Sequence, residues 1–130
     1  MAGSRGRKKQ ATGQGGWEPL LALLRKFRDD RDWKQFHNPK DLAAATAIEA
    51  GELQELFLWK TTEDVAADLA SPSRRQAVVD ELADVLICSL LLADCLHVDI
   101  DEAVRAKTAA NARKYPVGKA RGSARKYTEL

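Results

Sequence analysis

The sequence is short of the residues that hold soft metals: two cysteines and two histidines, with a single methionine, in 130 residues. Cys88 and Cys95 lie seven positions apart in an apolar stretch. That spacing puts them on one helix face but too far apart for a bond within the helix, so two reduced, buried thiols in a cytoplasmic protein are expected. His37 and His97 have no zinc-ligand spacing with the cysteines. Long hydrophobic runs are also missing. The longest, Val85–Ala93, falls far short of the roughly 18–20 residues of a membrane span. The start, MAGSRGRKKQATGQGG, has no hydrophobic region behind it and does not read as a secretory signal. No P-loop or other Gly-rich phosphate loop is present. Strand alternation and internal repeats are absent as well, which leaves an all-α chain.

What is present is charge, unevenly spread. Residues 1–16 carry four basic residues and no acid, and residues 105–127 carry eight basic residues and no acid. The centre, 17–104, holds nine basic against eighteen acidic residues. A plain nucleic-acid binder would show a more continuous basic face. An acidic centre suits cations, and a basic flank suits anions.

Residues 1–16 have almost nothing to bury and read as a disordered basic tail, ahead of a single domain, 17–130. A first helix is expected over Glu18–Asp30, with Leu20, Leu23, Leu24 and Phe27 at helical spacing. RDWKQFHNP follows as a loop. Asn38-Pro39 opens a second helix that runs to Lys60. A short helix over Glu63–Leu69 is expected next. Ser71-Pro72 then starts a long third helix to Leu96. Asp99-x-x-Glu102 resembles a capping box and opens a fourth, ending near Tyr115. The remainder, VGKARGSARKYTEL, reads as irregular.

The second helix contains EAGELQELFLW. At about 100° per residue, Glu49 and Glu52 share the arc of Leu42, Leu53 and Leu56, while Glu55 falls toward its edge. In DELADVLICSLLLAD, Glu81 and Asp84 share the arc of Val85, Cys88 and Leu92 in the same way. Each helix thus carries an acid-x-x-acid pair on its apolar stripe. Burying an isolated carboxylate costs on the order of several kcal/mol. Arginine partners, partial wetting or a divalent cation would each compensate, and Mg²⁺ favours carboxylate oxygens, water and substrate phosphates. A di-iron bundle site would need Glu-x-x-His pairs, and neither pair has a histidine at its fourth position. Lys107, Asn111 and either Lys114 or Tyr115 follow near-helical spacing on the basic fourth helix, a face suited to phosphates. Trp33, Phe36, His37 and Trp59 offer an aromatic slot in which a base could stack.

FRDDRDWKQFHNPKDLAAATAIEAGELQELFLWK, DELADVLICSLLLADCLHVD and KTAANARKYPVGKARGSARKYTEL together resemble the MazG-like all-α nucleoside triphosphate pyrophosphatases, and among them the dCTP pyrophosphatase branch. The resemblance implies a four- to five-helix bundle assembled as a homo-oligomer, a tetramer. It implies Mg²⁺ held by Glu49, Glu52, Glu81 and Asp84 on the triphosphate, with water attacking the α–β linkage. Glu55 becomes either an acid supporting the metal ligands from behind or a base that orients the water. Trp33, His37 and Trp59 would line the base and sugar pocket, and Lys107, Asn111 and Tyr115 would touch phosphate or sugar. The implied reaction takes dCTP, or a 5-modified dCTP, to dCMP and pyrophosphate, as housekeeping of the nucleotide pool. Two positions depart from the family pattern: Ile48 stands where a further acid is frequent, and Cys88 where the dCTP branch often has an aromatic. A broader pyrophosphatase acting on dATP, dUTP or oxidised nucleotides is the alternative within this chemistry. A non-catalytic helical oligomer, binding RNA or partners through the basic C-terminal segment, is the alternative outside it.

Overall fold

The computed structural model describes residues 16–130, so the expected basic tail lies outside the described residues but for Gly16. Among the described residues the chain forms six α-helices: α1 (Glu18–Asp29), α2 (Pro39–Glu55), α3 (Thr62–Ala70), α4 (Pro72–Cys95), α5 (Ile100–Lys114) and α6 (Val117–Ala120). Two 3₁₀ turns, Trp33–Phe36 and Tyr127–Glu129, complete the regular structure. The count exceeds the expected four to five because α6 is a single turn, too short to show a hydrophobic period. None of the described helices is long and apolar enough to cross a membrane.

The helix ends follow local chemistry. The Asn38 side chain accepts from the Asp41 amide at 3.0 Å, with Pro39 at the first position of α2. Thr61 and Asp64 form a reciprocal capping box on α3. At α5 only half of the expected box forms: Asp99 accepts from the Glu102 amide at 3.0 Å. Helix α2 stops at Glu55, short of the expected Lys60, and a turn leads to Trp59 at φ 61°. Helix α4 ends with His97 at φ 55°, its amide bonded to the Asp94 carbonyl, and the Val98 amide bonded to the Ala93 carbonyl. These two bonds are the Schellman pattern, with histidine where glycine is usual.

The centre of the molecule is the α2–α4 pair. Leu42 and Ala45 near the start of α2 share a cavity with Cys88 and Leu91 of α4. At the other end, Leu56 and Phe57 share one with Ala77 and Val78. The two helices therefore run antiparallel, and their middle turns bring the acid pairs level with one another. Helix α1 lies against the C-terminal half of α4, where Leu90, Leu91 and Ala93 are buried. Helix α3 lies against the N-terminal half, tied by Asp68, which accepts from Lys60 at 2.7 Å and Arg74 at 2.6 Å. Helix α5 has no comparable packing with any of these helices.

Candidate active site

Midway along the α2–α4 seam, Glu49, Glu52 and Glu81 each bring a carboxylate oxygen to within 4.8 Å of the others. Glu49 and Glu52 are three residues apart on α2, so one face carries both, and Glu81 meets them from α4. Burial pushes the Glu49 carboxyl above its ordinary value, and the charges of Glu52, Asp84 and Glu81 raise it further. Burial likewise raises Glu81, followed by the charges of Glu52, Asp84, Asp80 and Glu55. The neighbours that weigh on these two groups are thus all carboxylates. The Glu81 Oε2 atom is buried without a hydrogen-bond partner. Among the described residues, the ion pairs of the fold use other acids, so arginine does not compensate this cluster.

An all-oxygen donor set, an orphaned buried oxygen and raised carboxyls fit a hard divalent cation. Asp84 is exposed, one turn beyond Glu81, and adds its charge to the cluster from outside the group of three. Glu55 is exposed too, and its charge reaches Glu81. Burial, then Glu49 and Asp84, raise the Cys88 thiol. The thiol form is therefore favoured, and Cys88 suits neither a soft-metal ligand nor a nucleophile.

Cys88 also borders a largely apolar cavity of about 310 Å³, which Leu42 and Ala45 of α2, Ile87 and Leu91 of α4, and Phe27, Trp33, Phe36 and His37 share. The 3₁₀ turn supplies Trp33 and Phe36, and Phe27 braces Trp33 edge-on at a centroid distance of 5.7 Å. His37 follows immediately, its Nδ1 buried without a partner. An aromatic wall with one polar atom free to pair is the usual make-up of a site for a flat, polar-edged ligand. Burial, reinforced by the Arg28 charge, lowers the His37 pKa below its ordinary 6.5. A histidine depressed in this way supports stability above 6.5 and withdraws that support as pH falls toward its folded value. His37→Gln is expected to flatten the fall in melting temperature on the acid side of 6.5, which melting curves across that range would test.

The structure brings Trp33 and His37 together beside the acids. Trp59 does not join them: it stands 94% exposed past the end of α2. Lys107, Asn111 and Tyr115 lie exposed on or just past α5, a helix without extensive packing against α2 or α4. Tyr115 instead meets Tyr127 edge-on at 6.0 Å, with Lys114 5.1 Å above the Tyr127 ring. Phe27, Ile87 and Leu91 were not anticipated as cavity walls. Their periodicity marks them as core, and nothing in it separates a packed core from a lined hollow.

A model of the MazG-like family matches residues 44–130. The chain is similar to dCTP pyrophosphatase 1 of Bos taurus, 43% identical over 136 residues that take in 100% of this chain and 80% of the relative. It is 46% identical to dCTP pyrophosphatase 1 of Homo sapiens over 117 residues, 87% of this chain and 69% of the relative. Its fold matches the crystal structure of a pyrophosphatase from Archaeoglobus fulgidus with a TM-score of 0.71 and 43% identity, covering 76% of this chain and 91% of that one.

Proposed function

The chain belongs to the MazG-like family, and from that premise we propose that it is a Mg²⁺-dependent nucleoside triphosphate pyrophosphatase that converts dCTP and water to dCMP and pyrophosphate. The relatives named for dCTP support the substrate. The observation that carries the chemistry is the cluster of Glu49, Glu52 and Glu81, with its orphaned oxygen and, among the described residues, no cationic side chain to balance it.

Those three residues, with Asp84 beside them, would hold Mg²⁺. Such an ion would supply neutralisation of phosphate charge and a more acidic water. The protein's own part is placement. The cavity next to the cluster accepts the base, with Trp33 stacking on it and His37 Nδ1 meeting a polar edge atom. Its depressed pKa keeps His37 uncharged at neutral pH, which suits an uncharged base. The triphosphate then extends from the cavity toward the acids, and Glu55 takes the proton of the attacking water. Breaking the α–β bond in this way gives a monophosphate and pyrophosphate and needs no covalent intermediate.

The remaining contacts, from Trp59, Lys107, Asn111 and Tyr115, require a neighbouring copy, and the assembly is a homo-tetramer. Two observations favour this. Among the described residues helix α5 has no extensive packing against another helix, and the exposed Val79, Leu82 and Leu86 form an apolar stripe on α4.

Pyrophosphate release from dCTP, with and without Mg²⁺ and beside the other dNTPs and CTP, tests the reading. Mg²⁺-dependent release greatest with dCTP is expected. Release greatest with another nucleotide would keep the chemistry and discard the specificity. No release from any of them would remove the enzymatic reading.

A further inference from the structure

Helix α1 packs chiefly against α4, and part of that contact is polar. Among the described residues Arg28 is the buried charged side chain, 6% exposed. Its Nη1 donates to Asp94 Oδ2 at 2.9 Å, while Arg25 Nε donates to Asp94 Oδ1 at 2.7 Å. One carboxylate on the last turn of α4 thus grips two successive turns of α1. Burial pushes Asp94 up, but the hydrogen bonds from Arg25 and then Arg28 outweigh it and hold the carboxyl below its ordinary range. The neighbouring Cys95 thiol donates to the His37 carbonyl at 3.5 Å, so the same turn of α4 touches the chain at both ends of the segment that carries Trp33.

An ion pair buried like this seldom adds much stability over an apolar pair of the same size, yet it is costly to break from one side. Its geometry is its distinguishing property: two directional contacts fix the helix against rotation and sliding, as leucines would not. What it fixes is the aromatic wall. Phe27 directly precedes Arg28, Trp33 rests edge-on against Phe27, and His37 lies close enough to feel the Arg28 charge.

We propose that Asp94 is a positioning residue for nucleotide binding, setting the place of Trp33 and His37 by clamping Arg25 and Arg28 to the end of α4. The binding half of this inference rests on the base-pocket reading above; the positioning half does not. Asp94 belongs neither to the acid cluster nor to the cavity lining, so its loss acts through the wall and not on the reacting atoms.

The test compares Asp94→Asn with Asp68→Asn, which breaks the other doubly paired carboxylate, on the α3 side. Hydrogen exchange of the amides in 31–38, read against those of α2, reports the wall whether or not the protein turns over nucleotide. KM and kcat for dCTP report binding. Asp94→Asn is expected to speed exchange in 31–38 by about tenfold beyond any change in α2. KM is expected to rise about tenfold while kcat stays within about twofold. Asp68→Asn is expected to do neither. Arg25→Gln, which spares the inner Arg28 pair, should show the same pattern more weakly and serves if Asp94→Asn does not fold. Exchange in 31–38 that only keeps step with α2 would overturn the positioning role. A loosened wall with an unchanged KM would overturn the link to binding. If the parent protein hydrolyses no nucleotide, the pocket reading fails by itself, and the exchange data still decide whether Asp94 holds the wall.

Discussion

Glu49→Gln and Glu81→Gln are each expected to lower dCTP hydrolysis by about 10³-fold or more and yet, in a chelated solution at neutral pH, to melt higher than the parent. The two effects come from one cause. Glu49 and Glu81 have carboxyls raised above their ordinary 4.5, by burial first and by neighbouring carboxylates next. A carboxyl raised on folding contributes stability that is present below 4.5 and is lost as pH climbs through the raised value. At neutral pH without a cation the parent therefore folds against its own acid cluster, and an uncharged glutamine relieves it. The margin of either variant over the parent should shrink as pH falls into the carboxylate range, where the parent's acids take up protons.

A divalent cation reverses the order. A ligand that binds only the folded state at a hundred times its Kd adds about 2.7 kcal/mol. Mg²⁺ is thus expected to raise the melting temperature of the parent and to do little for either variant. Asp84→Asn should also lose activity with helicity intact, which circular dichroism would check. Melting curves with chelator and with Mg²⁺, over a range of pH, make the comparison. Glutamine variants that melt lower than the parent under chelation, or that keep the full Mg²⁺ effect, would show that the cluster is balanced in some other way.

The acid cluster was legible in the sequence because helical spacing alone places Glu49 and Glu52 on the stripe of Leu42 and Leu53, and Glu81 on that of Val85 and Cys88. An acid on an apolar stripe is a local anomaly with few resolutions. The starts of α2 and α4 were legible for the same kind of reason, since Asn38-Pro39 and Ser71-Pro72 act within one turn. The ends were less so. The Schellman turn at His97 carries no glycine to announce it, and α2 stops at Glu55 with no breaker there. The Arg28–Asp94 pair was missed because each residue alone looks like a solvated charge. Only the crossing of α1 over the last turns of α4, a long-range fact, pairs them. Asp94 did leave a trace, an acid within LLLADC in the most apolar part of the chain. The same limit explains why Trp59 and the α5 residues were expected at the site: their types suit a nucleotide, but residue type does not say where the fold places them.

Leu86→Asp is expected to break the assembly and, with it, about 100-fold or more of the activity. The reasoning begins on α4, where Val79, Leu82, Leu86, Leu90 and Ala93 follow one another at spacings of three and four and so form one stripe. Helix α1 covers the lower part, where Leu90 and Ala93 are buried, while Val79, Leu82 and Leu86 stay 40%, 48% and 43% exposed. Burying a large aliphatic side chain stabilises by about 1.5–3 kcal/mol, so three in a row form a strong incentive for association. An aspartate in the middle of that contact would be an unpaired charge in an apolar seam, which is costly. The activity should fall along with assembly if, as proposed, a neighbouring copy brings Trp59, Lys107, Asn111 and Tyr115 to the nucleotide. Sedimentation and initial rates over a dilution series would measure both together. The parent is expected to sediment as a tetramer and Leu86→Asp as a smaller species whose KM is raised, since the lost residues grip base and phosphates. An exposed substitution off the stripe, such as Lys26→Asp on α1, should change neither. A parent that is monomeric and fully active at assay concentration would instead mean that α5 folds back over its own acids, and that one chain holds the complete site.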